Sequence, residues 1–458
     1  MKKSWIGWGI AGVGVSMALG GAALAGCSSS DNVSLPEGEA GVDGAKAETS
    51  TSETGADTGP MDGGSAEAAP AADAQSPSRL LLSFNGSSQS EVVAFNLQSG
   101  TVDGFLTYAG DIGTTAVTAS SPWALEQGND VVAQLNPKKP WQVQSSWNVA
   151  LSDYAADAGY SSSYSDPMSV LAAGNKTYVL RYTRNEIAVF DSSQVVDGGA
   201  PSSAIDLSSQ LQAGGDGYVE MTAGYYDATT KRLYVLLGNI DRYDVAADGY
   251  TQLCSTTAPT LVAIDTTTDT LVNLNAGSDA GTMGWTLPGY DPYGQGAMVY
   301  DPPNNRLLVL QSGCNTAETD GGVGPVVRRE IDAISLATGA AQQLVDLTSA
   351  PFPTALYYVD AQHVIVQLDT AYPWNPSSTT LGAAIPNAPE AFSVDGNGNL
   401  VGITQPFEPD GGTGPWTVVS VNAADGGVTT LGVNPFPADD AGGVGAGFLG
   451  GAQLWPAP

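Results

Sequence analysis

The stretch Tyr225-Tyr226-Asp227-Ala228-Thr229-Thr230-Lys231-Arg232-Leu233-Tyr234-Val235-Leu236 is repeated in outline by Val299-Tyr300-Asp301-Pro302-Pro303-Asn304-Asn305-Arg306-Leu307-Leu308-Val309-Leu310. Each copy reads as a short β-branched and aromatic run, a polar turn and a second apolar run, which is a β-hairpin. A second unit follows the first along the chain. It reads Leu261-Val262-Ala263-Ile264-Asp265-Thr266-Thr267-Thr268-Asp269-Thr270-Leu271, and it is echoed by Ile331-Asp332-Ala333-Ile334-Ser335-Leu336-Ala337-Thr338-Gly339 and by Val92-Val93-Ala94-Phe95-Asn96-Leu97-Gln98-Ser99-Gly100. Two hairpins in series make a four-stranded meander, the unit of a β-propeller blade. From Arg79 onward almost no helical periodicity interrupts this texture.

Laid along the chain, the template gives seven candidate blades. The outer hairpins start near Glu91, Pro140, Glu186, Pro259, Glu330, Ser377 and Trp416, and the inner hairpins turn near Gly128, Gly174, Thr229, Pro303, Ala361 and Gly396. The sixth blade matches worst, because its outer strand around Ala383 to Ile385 is indistinct. The first lacks an innermost strand. Gly447-Phe448-Leu449 at the C-terminus can supply it, closing the ring and leaving no exposed edge. This pattern resembles seven-bladed propellers of the lactonase-like and YVTN type, a resemblance that covers about 380 residues and implies an all-β propeller fold. An eight-bladed ring and a two-domain β protein satisfy the same texture.

The N-terminus carries a second resemblance. Lys2 and Lys3 precede an uncharged apolar run from Ile6 to Ala23, and Leu24-Ala25-Gly26-Cys27 ends it. This is similar to the lipobox of a bacterial lipoprotein signal peptide. It implies cleavage after residue 26, acylation of Cys27, and a membrane partner reached through the lipid, in the cell envelope and at the outer membrane. Residues 27–78 follow as an acidic Ala/Gly/Ser/Asp-rich tether. Ten acidic residues and a single basic one, Lys46, lie between Ser28 and Ser78. Such a composition resists folding, and as a flexible coil it would span roughly 40 Å. It resembles the linkers of myxobacterial lipoproteins. The expected domains are therefore 1–26, 27–78 and 79–458.

Charge and residue usage restrict function. Fifteen Lys and Arg against 47 Asp and Glu give a net charge of −32, which disfavours nucleic acid and anionic lipid headgroups as partners. His363 is the one histidine, placed just after a tight turn, so histidine-based zinc sites and a Ser-His triad find little support. Apart from Cys27 the cysteines are Cys254 and Cys314, in corresponding loops of adjacent blades; a disulfide between them would contribute about 2–4 kcal/mol.

Catalytic signatures are sparse. A quinoprotein resemblance in the Ala-x-Asp-x-x-Thr-Gly units fails where that family places tryptophan, since Gly104, Asn273 and Gln343 stand there. GxxxxGK[ST] and G-x-S-x-G are absent. Asp395-Gly396-Asn397-Gly398-Asn399 resembles a calcium loop for five residues, but position twelve is Pro406, so it reads as a hairpin turn. No cofactor or metal is implied.

The template puts turns within hairpins on one face of the disc and the remaining connections on the other. The long connections 152–166, 239–258, 275–294, 312–328, 369–376 and 405–415 then share one face, where recognition concentrates. Asp241-Arg242-Tyr243-Asp244 and Tyr290-Asp291-Pro292-Tyr293 are the candidate binding loops, because arginine and aromatic side chains anchor interfaces. Packing of these loops on one another is the competing reading. The expected function is a lipid-anchored binding or scaffolding module for an envelope protein or glycan. The alternative is a carbohydrate-active hydrolase or lyase using channel carboxylates. An enzyme needs two carboxylates converging within about 5–10 Å at the channel mouth; a scaffold needs exposed apolar or aromatic side chains on the long-loop face.

Overall fold

The computed structural model describes residues 77–85, 90–108, 114–151, 164–191, 198–247, 251–275, 283–317, 323–405, 415–435 and 448–456. Cys27, the expected signal segment 1–26 and nearly all of the expected tether 27–78 lie outside them.

The described strands form seven antiparallel sheets arranged as the blades of a propeller. The innermost strands are Phe448–Trp455, Thr114–Val117, Pro167–Ala173, Met221–Asp227, Met298–Asp301, Ala355–Asp360 and Ala391–Val394, and they neighbour one another in that order around the ring. Blade 1 is closed as expected: Phe448–Trp455 pairs antiparallel with Arg79–Asn85, Trp455 opposite Arg79 and Phe448 opposite Asn85. The ends of the folded region therefore share one sheet, and the ring has no open edge.

The near-continuous apolar runs have a simple cause, since each blade is covered on both faces by its neighbours. In Arg232–Leu237 of blade 4, Leu233, Val235 and Leu237 pack with Tyr178, Leu180, Ile187 and Val189 of blade 3. The alternate residues Tyr234 and Leu236 pack with Leu307 and Val309 of blade 5. Strand alternation thus sorts side chains between two inter-blade cores rather than between core and water.

The blade template needs three corrections. In blade 2 the inner hairpin turns between Val117 and Pro122, and the turn at Gly128 joins the second strand to the third, Val131–Asn136. The short strand Thr114–Val117 has only Ala116 among the large-core residues, which hid it. In blade 6 the third strand is Ala371–Trp374, inside a segment read as loop, and the sheet stops at three strands. The expected fourth strand is indeed indistinct: Gly382 N donates to Pro373 O at 2.8 Å and Ile385 N to Ala371 O at 2.8 Å without forming a ladder. In blade 5 the segment 312–328 is not a loop, because Arg306–Ala317 and Val323–Ser335 extend as one hairpin past the blade.

That hairpin kinks where it leaves the blade. Gly313 sits at φ +78°, a conformation that favours glycine, and a Cβ there would lie 2.7 Å from the Val327 carbonyl oxygen. Its N–H donates to Tyr290 O at 2.9 Å instead of to the ladder, and Arg328 opposite is also left-handed, at φ +57°. The kink delivers Cys314 to Cys254, and the two form the expected disulfide, with Cα atoms 5.0 Å apart.

Candidate long-loop face and channel mouth

The Asp241–Asp244 loop is folded on itself. Asp241 Oδ1 accepts from Tyr243 N at 3.0 Å, and Gln252 Nε2 donates to Asp241 O at 2.7 Å and to Asp244 O at 3.2 Å. Arg242 turns inward rather than toward a partner. Its Nε meets Asp216 and lies 3.7 Å from Glu220 Oε1; both carboxylate side chains are fully buried. The guanidinium also stands 4.9 Å from the Tyr218 ring centroid and 5.6 Å from that of Tyr182. A desolvated guanidinium flanked by anions and aromatic faces is held firmly, so the charge is structural rather than displayed. Tyr243 is the residue of this loop that faces out, at 46% exposure.

Tyr290, expected as an interface anchor, is fully buried beside Ile240 and the disulfide. Its hydroxyl lies 2.9 Å from Ser255 Oγ, and the Arg328 guanidinium sits 4.9 Å from its ring. The Tyr293 ring meets Tyr182 edge-on at 5.7 Å. Tyr182 follows the second strand of blade 3, whereas Tyr293 precedes blade 5. Residues from blades two apart meet only where the ring narrows toward its axis, so these rings mark the channel mouth.

Carboxyl groups gather around them. Asp291 and Glu220 both raise the Tyr182 hydroxyl, after desolvation, and Asp166 and Asp291 do the same to Tyr293. Burial pushes Glu220 well up, and Asp216 beside it adds to the effect; Arg242 opposes both. Burial alone lifts Asp291 to about 7. Asp166, Glu220 and Asp291 sit in the left-handed region at φ +56°, +44° and +53°, strain of a kind that clusters at functional sites.

Glu220, Asp216, Asp166 and Tyr182 were not singled out by sequence. A usable signal existed, because Asp166 and Glu220 are the residues directly before the innermost strands of blades 3 and 4. Blade geometry puts that position at the axis.

A second acid pair lies inside blade 5. Glu330 and Asp332 project from one face of the same strand, 6% and 0% exposed. Gln343 Nε2 donates to Glu330 Oε2 at 2.6 Å, and Gln311 Nε2 to Asp332 Oδ2 at 3.2 Å. Their other oxygens, Glu330 Oε1 and Asp332 Oδ1, are buried with no hydrogen-bond partner, and burial followed by the Glu330 charge pushes Asp332 up to about 8. Gly289 covers the site so closely that a Cβ there would lie 2.2 Å from Gln311 Cγ. His363 is on the opposite, short-turn side, with Nδ1 2.8 Å from the Asp360 carboxylate. Asp395 accepts from Asn397 N and Asn399 N, closing the hairpin turn expected there. Among the described residues no three His, Cys, Asp or Glu side chains are grouped to hold a metal.

No protein-family model matches the sequence, and no curated protein matches it. Solved structures do match in fold. A hypothetical selenium-binding protein from Sulfolobus tokodaii aligns over 84% of this chain and 94% of its own, at 9% identity and a TM-score of 0.50. The periplasmic gluconolactonase of Pseudomonas aeruginosa aligns over 78% and 97%, at 12% identity and 0.44. Hydrazine synthase from Kuenenia stuttgartiensis aligns over 80% of this chain and 98% of its own, at 12% identity and a TM-score of 0.47. At such identities the likeness is one of fold, the seven-bladed propeller, and it brings no chemistry with it.

Proposed function

We propose that this chain is a lipid-anchored module of the cell envelope that binds a protein partner through the long-loop face of its propeller. One observation carries the reading. Tyr164, Leu211, Tyr243, Val323 and Phe352 are exposed by 47, 38, 46, 42 and 48%, and all five lie on connections or hairpin tips of that face. The remaining exposed large hydrophobics, Phe105, Val143, Val428 and Val433, are on outermost strands, and none is on the short-turn face among the described residues. Apolar side chains held in water on one face are what an interface presents. The hydrolase alternative is not better supported, since the Asp216–Glu220 and Glu330–Asp332 side chains are buried.

The test is a crosslinked pull-down of the full-length protein from intact envelopes. The wild type should bring down a stoichiometric protein partner, and Tyr243→Ser with Phe352→Ser should lose it while Val428→Ser with Val433→Ser keeps it. Cys27→Ser should abolish acyl labelling. Recovery of the protein alone, or an equal yield from both double variants, would refute the interface; undiminished acyl labelling would refute the anchor.

A further inference from the structure

We propose that the buried acid pair of blade 5, Glu330 and Asp332, holds a calcium ion together with the amide oxygen of Gln311. Sheet register assembles the group. Gln311 lies on the neighbouring strand Arg306–Ala317, directly opposite Glu330. Gln343 lies on the other neighbour, Ala341–Asp346, directly opposite Asp332. Glu330 and Asp332 are two residues apart on their strand, so all four side chains leave the same face of the sheet. The two amides then cross. Gln343 Nε2 donates diagonally to Glu330 Oε2 at 2.6 Å, and Gln311 Nε2 diagonally to Asp332 Oδ2 at 3.2 Å.

The quartet has more acceptors than donors. Glu330 Oε1, Asp332 Oδ1 and Gln311 Oε1 are each buried without a hydrogen-bond partner, and Gln311 is itself 0% exposed. A proton shared by the two carboxyl groups would satisfy two of these oxygens and leave that of Gln311 orphaned. One cation in contact with all three satisfies them together. Buried carboxylates also need a positive charge beside them. Among the described residues neither Glu330 nor Asp332 forms an ion pair. Arg328, whose charge acts on both, turns its nitrogens to the backbone oxygens of Pro288, Thr257 and Gly289, at 3.1, 3.3 and 2.6 Å.

The donor set selects the ion. Two carboxylates balance one divalent charge, and every unpartnered atom is an oxygen, which suits a hard cation. Calcium accepts irregular oxygen cages that include amide carbonyls, whereas magnesium demands near-octahedral geometry and gives up its waters reluctantly. Zinc favours nitrogen and sulfur ligands, and the quartet offers neither. Gln343 is exposed, so one side chain separates the acid pair from water and from an arriving ion.

The experiment is calorimetric titration of the folded, chelator-treated protein with calcium chloride, and separately with magnesium chloride, at about 0.15 M salt to screen the acidic surface. One saturable calcium site is expected, weakened about tenfold or more by Glu330→Gln, by Asp332→Asn and by Gln311→Met. Asp395→Asn, in the exposed turn that resembles a calcium loop, should leave it unchanged. Calcium at about 100 times its dissociation constant should raise the melting temperature by about 3 °C. The wild-type titration needs no variant and decides first: no saturation by about 10 mM calcium would overturn the proposal. Undiminished affinity in the folded Glu330→Gln and Asp332→Asn proteins would overturn it too, as would binding lost only in Asp395→Asn, or saturation by magnesium at a lower concentration than by calcium.

Discussion

Reducing the Cys254–Cys314 bridge should lower the melting temperature by about 5 °C. The bridge spans 60 residues, and the chain-entropy account gives about 14 cal/mol/K for such a loop, or about 4 kcal/mol at 25 °C. Unfolding a propeller of about 380 residues releases roughly 0.8 kcal/mol/K, so 4 kcal/mol corresponds to about 5 °C. Backbone contacts around the bridge do not duplicate this effect. Cys254 N donates to Asn315 O and Asn315 N to Gln252 O, both at 3.0 Å, but those bonds exist only in the folded state, whereas the disulfide constrains the unfolded one. Differential scanning calorimetry of the wild type with and without reductant is the cleanest comparison, because both sulfur atoms stay in place. Cys254→Ala with Cys314→Ala should fall further, since Cys314 is buried against Tyr290 and Ile240 and its truncation leaves a cavity. A reduced protein that melts within 1 °C of the oxidised one would refute the reasoning. It would mean that the loops stay associated in the unfolded chain.

The blade 5 acid pair predicts a pH dependence. Desolvation first, and then the Glu330 charge, lift Asp332 to about 8. The folded-state value lies above the unfolded one, so its stability contribution is complete below about pH 4 and drains away as pH rises toward 8. Asp332→Asn should lessen the fall in urea-denaturation stability between about pH 5 and about pH 8, leaving the part that Glu220 and Asp291 contribute; a variant with the wild-type slope would refute the raised Asp332. Ring closure predicts that deleting residues 448–458 strips the inner strand from blade 1 and bares the edge of Arg79–Asn85. A truncated chain that stays monomeric in size-exclusion chromatography and melts within a few degrees of the full chain would contradict that.

The fold was legible where turn chemistry and apolar runs coincide. The hairpins at Thr229 and Pro303 show both signals, and their strands are the ones whose every residue from Leu233 to Leu237 and from Leu307 to Leu310 is buried between neighbouring blades. Blade 2 misled because Thr114–Val117 is four residues long and two of them are threonine; a strand of that length lacks a periodicity to detect. Ala371–Trp374 contains Pro373, which demotes a strand reading. It survives there because the Pro373 carbonyl, the group proline retains, is the one used, accepting from Gly382 N. The extended hairpin of blade 5 was hidden by glycines at 321, 322, 324 and 313, of which Gly313 proves to be a kink within a strand.

The face on which each candidate residue lies was legible but its orientation was not, and the reason is physical. Loop length and blade topology decide which face a residue occupies, and both can be counted along a sequence. Whether Arg242 points outward depends on Asp216 and Glu220, 26 and 22 residues earlier, both ahead of a strand that inserts between the two segments. A guanidinium beside water gains little from one carboxylate, but between two buried ones it has no better place to go. The same count explains Tyr290, whose neighbour across the bridge lies in another blade. Composition said that carboxylates would be plentiful; only the fold separates those that are paired, as Asp216 and Glu220 are by Arg242, from Asp291, which is not.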